Sequence, residues 1–208
     1  MKVTVVGTGN MASGFAKALV KAGHRARLVG RNPGKTQALA AETGASAVAA
    51  DEGADADIVI LATPYAAAVA ALRSLGDLTG KVVVDITNPL TADYMGLTIG
   101  HSTSAAEEIA KAVPGARVVK GFNTLFAQVL AAGPKLKDGS VPPVFLAADD
   151  AAAKSAVSAL AASFGYPVVD AGPLRNARYL EPLAGLNIYL GYGAGLGTGV
   201  APAWLPLA

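Results

Sequence analysis

The sequence predicts an α/β fold with a doubly wound, mainly parallel sheet and a small C-terminal helical extension. Short runs rich in Val and Ile alternate with longer helix-like stretches, which is typical of repeated βαβ units. The clearest runs are Ile58–Leu61 and Lys81–Ile86, and they suit strands that are buried on both faces of a sheet. A glycine-rich turn follows the first run, Val3–Val6, and leads directly into an apolar helix pattern.

Turn and capping residues set the order of the elements. Pro33 suits the first position of a helix that ends near Gly44, and Ser104 with Glu107 has the spacing of a capping box. Pro182 is expected to kink or break the last helix. The predicted strands are Val3–Val6, Arg25–Val29, Ser46–Ala49, Ile58–Leu61, Lys81–Ile86, Arg117–Lys120, Val144–Ala147 and Pro167–Val169, and the predicted helices are Met11–Ala22, Pro33–Glu42, Ser104–Val113, Asp149–Phe164 and Asn176–Leu190.

The composition argues against several classes of protein. Cysteine is absent and there are two histidines, which excludes disulfides and thiolate metal sites and disfavours a histidine-built metal site. The formal net charge is +2, with no dense basic run, so no nucleic-acid surface is expected. No uninterrupted apolar stretch reaches the ~18 residues of a membrane span. The first residues lack the apolar segment of a signal peptide, and we expect a cytoplasmic protein with no membrane partner.

The turn Gly7-Thr8-Gly9-Asn10-Met11-Ala12 has the G-x-G-x-x-G/A pattern of a Rossmann-type nucleotide-binding fold. Gly7 permits the tight turn, Gly9 lets the backbone approach a pyrophosphate, and Ala12 permits close packing of helix on strand. The N-terminus of the following helix offers free N–H groups to the anion. The turn therefore predicts dinucleotide binding.

The loop after the second predicted strand indicates which dinucleotide is bound. Sites that prefer NAD carry an acidic residue here, about 20 residues after the glycine turn. This chain instead reads Gly30-Arg31-Asn32-Pro33-Gly34-Lys35. Arg31 and Lys35 can pair with a ribose 2′-phosphate, which predicts a preference for NADP(H).

Two further loops should reach the same ligand. Thr63-Pro64 follows the strand Ile58–Leu61, and Asn88-Pro89 follows the strand that ends near Ile86. Ligands of doubly wound sheets lie across the carboxyl ends of the strands. We therefore expect these loops to contact the ribose and the nicotinamide.

Several motifs together resemble a known family. They recur in the same order in the NADPH-dependent reductases of the deazaflavin coenzyme F-420, and the NADPH-oxidising domain of the STEAP-type ferric reductases is similar. The motifs are Gly7–Met11, Gly30–Pro33, Asp85–Pro89, Val118–Thr124 and Asp170–Leu174. The resemblance spans nearly the whole chain. It implies an NADP-binding domain, residues 1–172, and a C-terminal part, residues 173–208, that completes an acceptor cleft and a dimer contact.

The resemblance also implies roles for individual residues. Thr8 to Met11 would contact the pyrophosphate and ribose, Arg31 and Lys35 the 2′-phosphate, and the later loops the nicotinamide. Archaeal members carry a histidine where this chain has Asn123, so the role of that ring in the acceptor pocket is absent here. The residues expected to bind the cofactor are Gly7, Thr8, Gly9, Asn10, Met11, Arg31, Asn32, Lys35, Thr63, Pro64, Asn88, Pro89, Asn123 and Ala127.

The expected chemistry is hydride transfer between NADPH and a planar acceptor, coenzyme F-420 or a flavin. A transfer between two rings needs alignment and exclusion of water, so no catalytic acid or base is expected. Asp85 is interpreted as structural, and His101 as a surface residue. Arg175 and Arg178 either meet an acidic acceptor tail or are solvated. The alternatives are flavin-mediated ferric reduction, imine reduction resembling that by pyrroline-5-carboxylate reductase, and a non-catalytic NADPH-sensing module.

The C-terminal segment predicts self-association. Residues Leu183–Leu207 are largely apolar, and a domain of this size has little surface beneath which to hide them. A symmetric dimer is the commonest way to close such a surface. We therefore expect a homodimer that acts on a small-molecule redox partner.

Overall fold

The computed structural model describes residues 1–204 and contains a six-stranded parallel sheet. Its strand order is β3-β2-β1-β4-β5-β6, so the chain winds outward from β1 in both directions. This arrangement confirms the predicted doubly wound fold class. The strands are β1 (Lys2–Val6), β2 (Arg25–Val29), β3 (Ser46–Ala47), β4 (Ile58–Leu61), β5 (Val82–Asp85) and β6 (Arg117–Lys120).

Two further strands extend this architecture beyond β6. β7 (Val144–Leu146) and β8 (Val168–Asp170) pair in parallel with each other. An antiparallel bridge between Lys120 and Ala147 joins them to the main sheet, with N–O distances of 2.9 and 3.0 Å. The sheet is therefore mainly parallel, with one antiparallel junction at the end of β6.

Helices flank the sheet, and several begin at the capping residues that the sequence indicates. Asn32 accepts a hydrogen bond from the Lys35 backbone N–H at 3.0 Å, and Gly44 ends that helix at φ 76°. The Ser104 hydroxyl likewise accepts from the Glu107 backbone N–H at 3.2 Å. The helices are α1 (Asn10–Lys21), α2 (Pro33–Thr43), α3 (Tyr65–Arg73), α4 (Ala105–Ala112), α5 (Ala127–Ala132), α6 (Ala151–Ser163) and α7 (Ala177–Ile188).

The sequence analysis does not predict α3 and α5. α3 is mostly alanine and has no side-chain cap among the described residues, so its apolar pattern does not distinguish one face from another. α5 is only six residues long and follows an irregular loop. α7 also differs from expectation, because it continues through Pro182 without a break. Pro182 is exposed on the outer side of that helix.

The core lies on both faces of the sheet. One cluster includes Phe15, Leu28 and Ile60, and the other includes Leu61 and Ile109. β4 is buried at all four positions, which explains why its sequence is continuously apolar rather than alternating. Within residues 1–204, no helix combines the length and apolarity needed to cross a membrane.

The C-terminal extension folds back onto the sheet domain. A π-helical turn, Tyr189–Gly193, follows α7. Beyond it the chain passes Phe126, whose ring meets Tyr192 edge-on at 5.6 Å, and reaches Phe145, whose ring meets Trp204 at 5.4 Å. The last part of the predicted apolar segment Leu183–Leu207 and of the predicted unit 173–208, from residue 205 onward, lies outside the described residues.

Candidate functional site

The loops that carry the predicted site residues lie along one edge of the sheet. Each follows the carboxyl end of a strand, and β2, β1, β4, β5 and β6 are neighbours in that order. The loop after β1 carries Gly7 to Met11, and the loop after β2 carries Arg31 to Lys35. The loops after β4, β5 and β6 carry the remaining predicted residues. The edge therefore forms one continuous candidate site.

The glycine turn is held tightly against its neighbours. Gly7 has φ 136°, and its backbone N–H donates to the Val29 carbonyl at 2.8 Å. A Cβ on Gly7 would lie 2.2 Å from the Ala62 carbonyl oxygen, so no other residue fits without displacing β4. Ala12 is fully buried, as close packing of α1 on the sheet requires.

Gly9 differs from Gly7 because it faces open space. It occupies the N-cap position of α1, and a Cβ there would meet no atom within 4 Å. Within residues 1–204, no side chain caps this end of α1, and its first turn contains no acidic residue. The first N–H groups of α1 are therefore available to an anion that approaches Gly9.

The loop after β2 has a basic surface. Arg31 and Lys35 are exposed, and in the described part of the chain no carboxylate lies within ion-pair distance of either. Lys35 stands in the first turn of α2, where the helix dipole disfavours a cation unless an anion binds nearby. The Asn32 side chain accepts from Lys35 N and so serves as the N-cap of α2.

Gly30 connects the glycine turn to this basic loop. A Cβ on Gly30 would lie 2.5 Å from both Thr8 Cγ2 and Thr36 Oγ1. The two loops are therefore in direct contact, which brings the α1 N-terminus and the two cations to the same part of the edge. The open approach at Gly9 and the exposed cations fit a dinucleotide that carries an additional phosphate.

Asn88 and Asn123 join the loops after β5 and β6. Asn123 Nδ2 donates to Asn88 Oδ1 at 3.0 Å, and Asn88 Nδ2 donates to the Asn123 carbonyl at 3.0 Å. Asn123 Nδ2 also donates to the Leu180 carbonyl of α7 at 2.9 Å. Asn123 is therefore buried between Asn88 and α7, and its expected contact with the cofactor stays a prediction.

The remaining predicted residues surround this amide pair. Pro64 is exposed at the start of α3, Pro89 is buried, and Ala127 is half-buried at the start of α5. Within residues 1–204, four buried side-chain oxygens have no hydrogen-bond partner in the protein, and they belong to Thr4, Thr63, Thr87 and Asn123. Thr4 lies within β1, whereas the other three lie in the loops of this edge, where a polar ligand group could meet them.

A cluster of three buried charges lies beneath the same loops. The Lys120 ammonium is 2.9 Å from Asp85 Oδ2 and 2.9 Å from Glu181 Oε1. Burial alone would lower the pKa of Lys120, but the two carboxylates reverse this and raise its pKa above the ordinary lysine value. Asp85 is thus structural, as expected. The sequence analysis misses Lys120 and Glu181, although a lysine at the end of an apolar strand signals a buried partner.

The two candidate arginines of the C-terminal region have different environments. Arg178 makes a bidentate pair with Glu107, with N–O distances of 2.9 and 2.7 Å, and so links α7 to α4. This hydrogen bonding to Arg178 lowers the pKa of Glu107. Arg178 is therefore paired with Glu107 although it is partly exposed, while Arg175 is exposed. His101 is exposed, in agreement with its interpretation as a surface residue.

Both the sequence and the fold of this chain are similar to those of known proteins. The sequence model described as NADP oxidoreductase, coenzyme F420-dependent, matches residues 2–89. A solved structure from Arthrobacter sp. FB24, of a candidate F420-dependent NADP reductase, is 32% identical and superposes with a TM-score of 0.86. The match covers 96% of each chain. The chain belongs to the coenzyme F420-dependent NADP oxidoreductase family. It is thus a member of a family of enzymes that use NADP.

Two curated relatives differ in how much of their own length this chain matches. The F420-dependent NADP reductase of Methanothermobacter thermautotrophicus is 28% identical over 91% of this chain and 89% of its own. The metalloreductase STEAP3 of Rattus norvegicus is 33% identical over 88% of this chain but only 36% of its own. The chain therefore spans about a third of the STEAP proteins that it matches.

Imine reductases share the fold of this family member at lower identity. An imine reductase of Streptomyces aurantiacus superposes with a TM-score of 0.65 at 22% identity, and this chain covers 63% of it. At that level the likeness concerns the fold alone.

Substitution of the two glycines of the turn should separate folding from binding. We expect Gly7→Ala to lower the free energy of unfolding by at least ~2 kcal/mol, because its φ and its contact with Ala62 leave no room for a side chain. Gly9→Ala should change that free energy by less than about 1 kcal/mol but weaken NADPH binding at least about tenfold. Urea unfolding and fluorescence titration with NADPH measure the two effects. Undiminished NADPH affinity in Gly9→Ala would contradict a phosphate site at this turn.

Proposed function

We propose that this protein transfers a hydride between NADPH and coenzyme F-420 or a flavin. The observation that carries the proposal is the contact, through Gly30, between the open glycine turn and the loop of the exposed cations Arg31 and Lys35. In this proposal the turn and the cations form two neighbouring anion-binding regions at one edge of the sheet. The relatives that match nearly the whole chain support F-420 as the first candidate acceptor.

The phosphate end of the site binds and orients the cofactor. In this proposal the pyrophosphate lies on the α1 N-terminus at Gly9, within reach of Thr8, Asn10 and Met11. Arg31 and Lys35 hold the 2′-phosphate, and Asn32 keeps Lys35 in place by capping α2. Charge-assisted contacts of this kind distinguish NADPH from NADH, since only NADPH carries that phosphate.

The opposite end of the site aligns the reacting rings. Bound NADPH supplies a hydride, that is, two electrons and one proton, and leaves as NADP⁺. The residues that border the nicotinamide in this proposal are Thr63, Pro64, Asn88, Pro89, Asn123 and Ala127. Because a deazaflavin or flavin accepts the hydride directly, the protein needs no side-chain acid or base and acts by alignment and exclusion of water.

The C-terminal part completes the acceptor cleft. We assign residues 1–172 to cofactor binding and residues 173–208 to the cleft and to a dimer contact. The fold-back of the tail onto Phe126, beside the Asn123–Ala127 loop, supports this division. We also assign the reaction to the cytoplasm.

Ferric reduction through a flavin is the second candidate. The identity of 33% with STEAP3, a metalloreductase, favours it. A reduced flavin can pass its electrons singly to ferric iron, whereas a reduced deazaflavin passes two electrons together as one hydride. The acceptor therefore decides between the two candidates.

Reversal of the charge at Arg31 tests the cofactor assignment. Arg31→Asp should lower the affinity for NADPH by about one to two decades, because it removes a charge-assisted contact worth roughly 1.5–3 kcal/mol, and should alter NADH binding little. Arg25→Asp is the matched control, since Arg25 is also exposed but lies at the opposite end of β2. Equal affinity of the unmutated protein for NADPH and NADH would overturn the assignment.

The reaction itself is tested by following the hydride. Stopped-flow mixing with NADPH deuterated at the transferring position should give a primary isotope effect and deuterium retained on the reduced deazaflavin. Free flavin, with and without a ferric chelate, tests the second candidate in the same assay. If neither deazaflavin nor flavin is reduced, the proposed reaction is wrong, while NADPH binding is decided by the titration above.

The proposed homodimer rests on apolar side chains that remain exposed in the single chain. Tyr179 is 74% exposed, and Leu186 and Tyr192 are 55% and 60% exposed. Light scattering at micromolar concentration should give twice the mass of the chain. Tyr192→Lys should shift the mass toward the monomer, since a charge on a buried contact is unfavourable. A monomeric mass for the unmutated protein would rule the dimer out.

A further inference from the structure

The buried charge cluster, Asp85, Lys120 and Glu181, has no part in the binding steps proposed above. Asp85 and Lys120 end the neighbouring strands β5 and β6 and are partners in the strand register. Glu181 comes from α7, in the C-terminal extension. All three side chains are at most 2% exposed. The cluster thus joins the sheet to the extension beneath the candidate site.

The ammonium of Lys120 uses its full hydrogen-bonding capacity in this cluster. It donates to Asp85 Oδ2, to Glu181 Oε1 and to the carbonyl of Thr87. Removal of charges from water is unfavourable, and apolar side chains of similar size often stabilise a core as well as a buried ion pair does. The charged cluster also fixes a geometry, because the three directional hydrogen bonds of Lys120 hold their acceptors in defined positions.

Asp85 and Lys120 hold the backbone of Thr87 at both polar atoms. The Thr87 N–H donates to Asp85 Oδ1 at 2.8 Å, and the Thr87 carbonyl accepts from Lys120. Thr87 immediately precedes Asn88, whose side chain pairs with Asn123. The position of the Asn88 loop therefore depends on the two charged side chains below it.

Glu181 extends the same arrangement to α4 and α7. Its carboxylate accepts from the backbone N–H groups of Ala105 at 2.8 Å and Ala106 at 3.1 Å. The positive end of the α4 dipole thus offsets the second negative charge of the cluster. The preceding carbonyl, of Leu180, accepts from Asn123. Two consecutive residues of α7 are therefore bound to the loops after β5 and β6, one directly and one through Lys120.

We infer that Lys120 and Glu181 are positioning residues for hydride transfer. They hold the Thr87–Asn88 segment and α7 at a fixed distance from each other. These two segments border the region in which the nicotinamide and the acceptor ring are proposed to meet. The inference rests on the proposed function. It predicts that disturbing the cluster slows the transfer step and leaves the phosphate end, which lies after β1 and β2, unaffected.

Glu181→Gln is the decisive variant, because it removes one charge while it nearly preserves the side-chain volume. We expect its Kd for NADPH to stay within about twofold of the original, and its single-turnover hydride transfer to slow by roughly 10- to 100-fold, as small misplacements of reacting groups do. Glu107→Gln is the matched control. It breaks the partly exposed pair with Arg178, which also joins α7 to α4, and should leave the transfer rate within about twofold.

Hydrogen exchange supplies a readout that needs no acceptor. The amides of Thr87, Ala105 and Ala106 should exchange at least about tenfold faster in Glu181→Gln than in the original protein. Their exchange rates should be unchanged in Glu107→Gln. If Glu181→Gln does not fold, Glu181→Asp replaces it, because it withdraws the carboxylate by one methylene. It should also leave the Kd for NADPH unchanged and slow hydride transfer, but by a smaller factor.

Each outcome bears on a different statement. A transfer rate in Glu181→Gln equal to the original, or lowered equally in Glu107→Gln, overturns the positioning role. If the unmutated protein reduces no acceptor, the proposed function fails. In that case the exchange data still judge the cluster, because unchanged exchange at Thr87 in Glu181→Gln would show that the charge of Glu181 does not help to hold the loop.

Discussion

Lys120 carries a charge that has no access to water, and much of the structure around the site follows from the need to satisfy it. The ammonium requires acceptors on three sides. The register of β5 and β6 supplies Asp85, the turn after β5 supplies the Thr87 carbonyl, and α7 supplies Glu181. The start of α4 in turn compensates Glu181. One buried cation thereby links β5, α4, β6 and α7.

The two ends of the candidate site are built on different principles. The phosphate end uses local structure, namely a glycine turn and the first turns of α1 and α2, whose geometry is set by a few consecutive residues. The opposite end uses side chains of the loops after β5 and β6 and a backbone carbonyl of α7, which meet only when the chain is folded. A cofactor that spans both ends would be bound by the first and aligned by the second.

This difference explains what could be predicted from the sequence. The roles of Gly7 and Ala12 can be predicted, because a tight turn and a close contact between helix and strand require those residue types locally. Lys120 and Glu181 could not be paired in advance, since nothing near either residue identifies the other. Asn123 illustrates the same limit, because its amide protons are used by Asn88 and by a carbonyl of α7, an element whose position is a tertiary property. The sequence does not reveal α3 for a simpler reason, since a helix made mostly of alanine shows no clear difference between a buried and an exposed face.

Gly30 has a consequence for how such a site can change over evolutionary time. An acidic residue directly after β2 is what NAD-preferring sites use. Here any side chain at that position would collide with Thr8 and Thr36, which are both within 2.5 Å of the Cβ direction. A switch of coenzyme therefore has an ordered path, in which Thr8 and Thr36 must both yield space before Gly30 can become acidic. The packing of these two threonines thus restricts the order in which substitutions in this loop can occur.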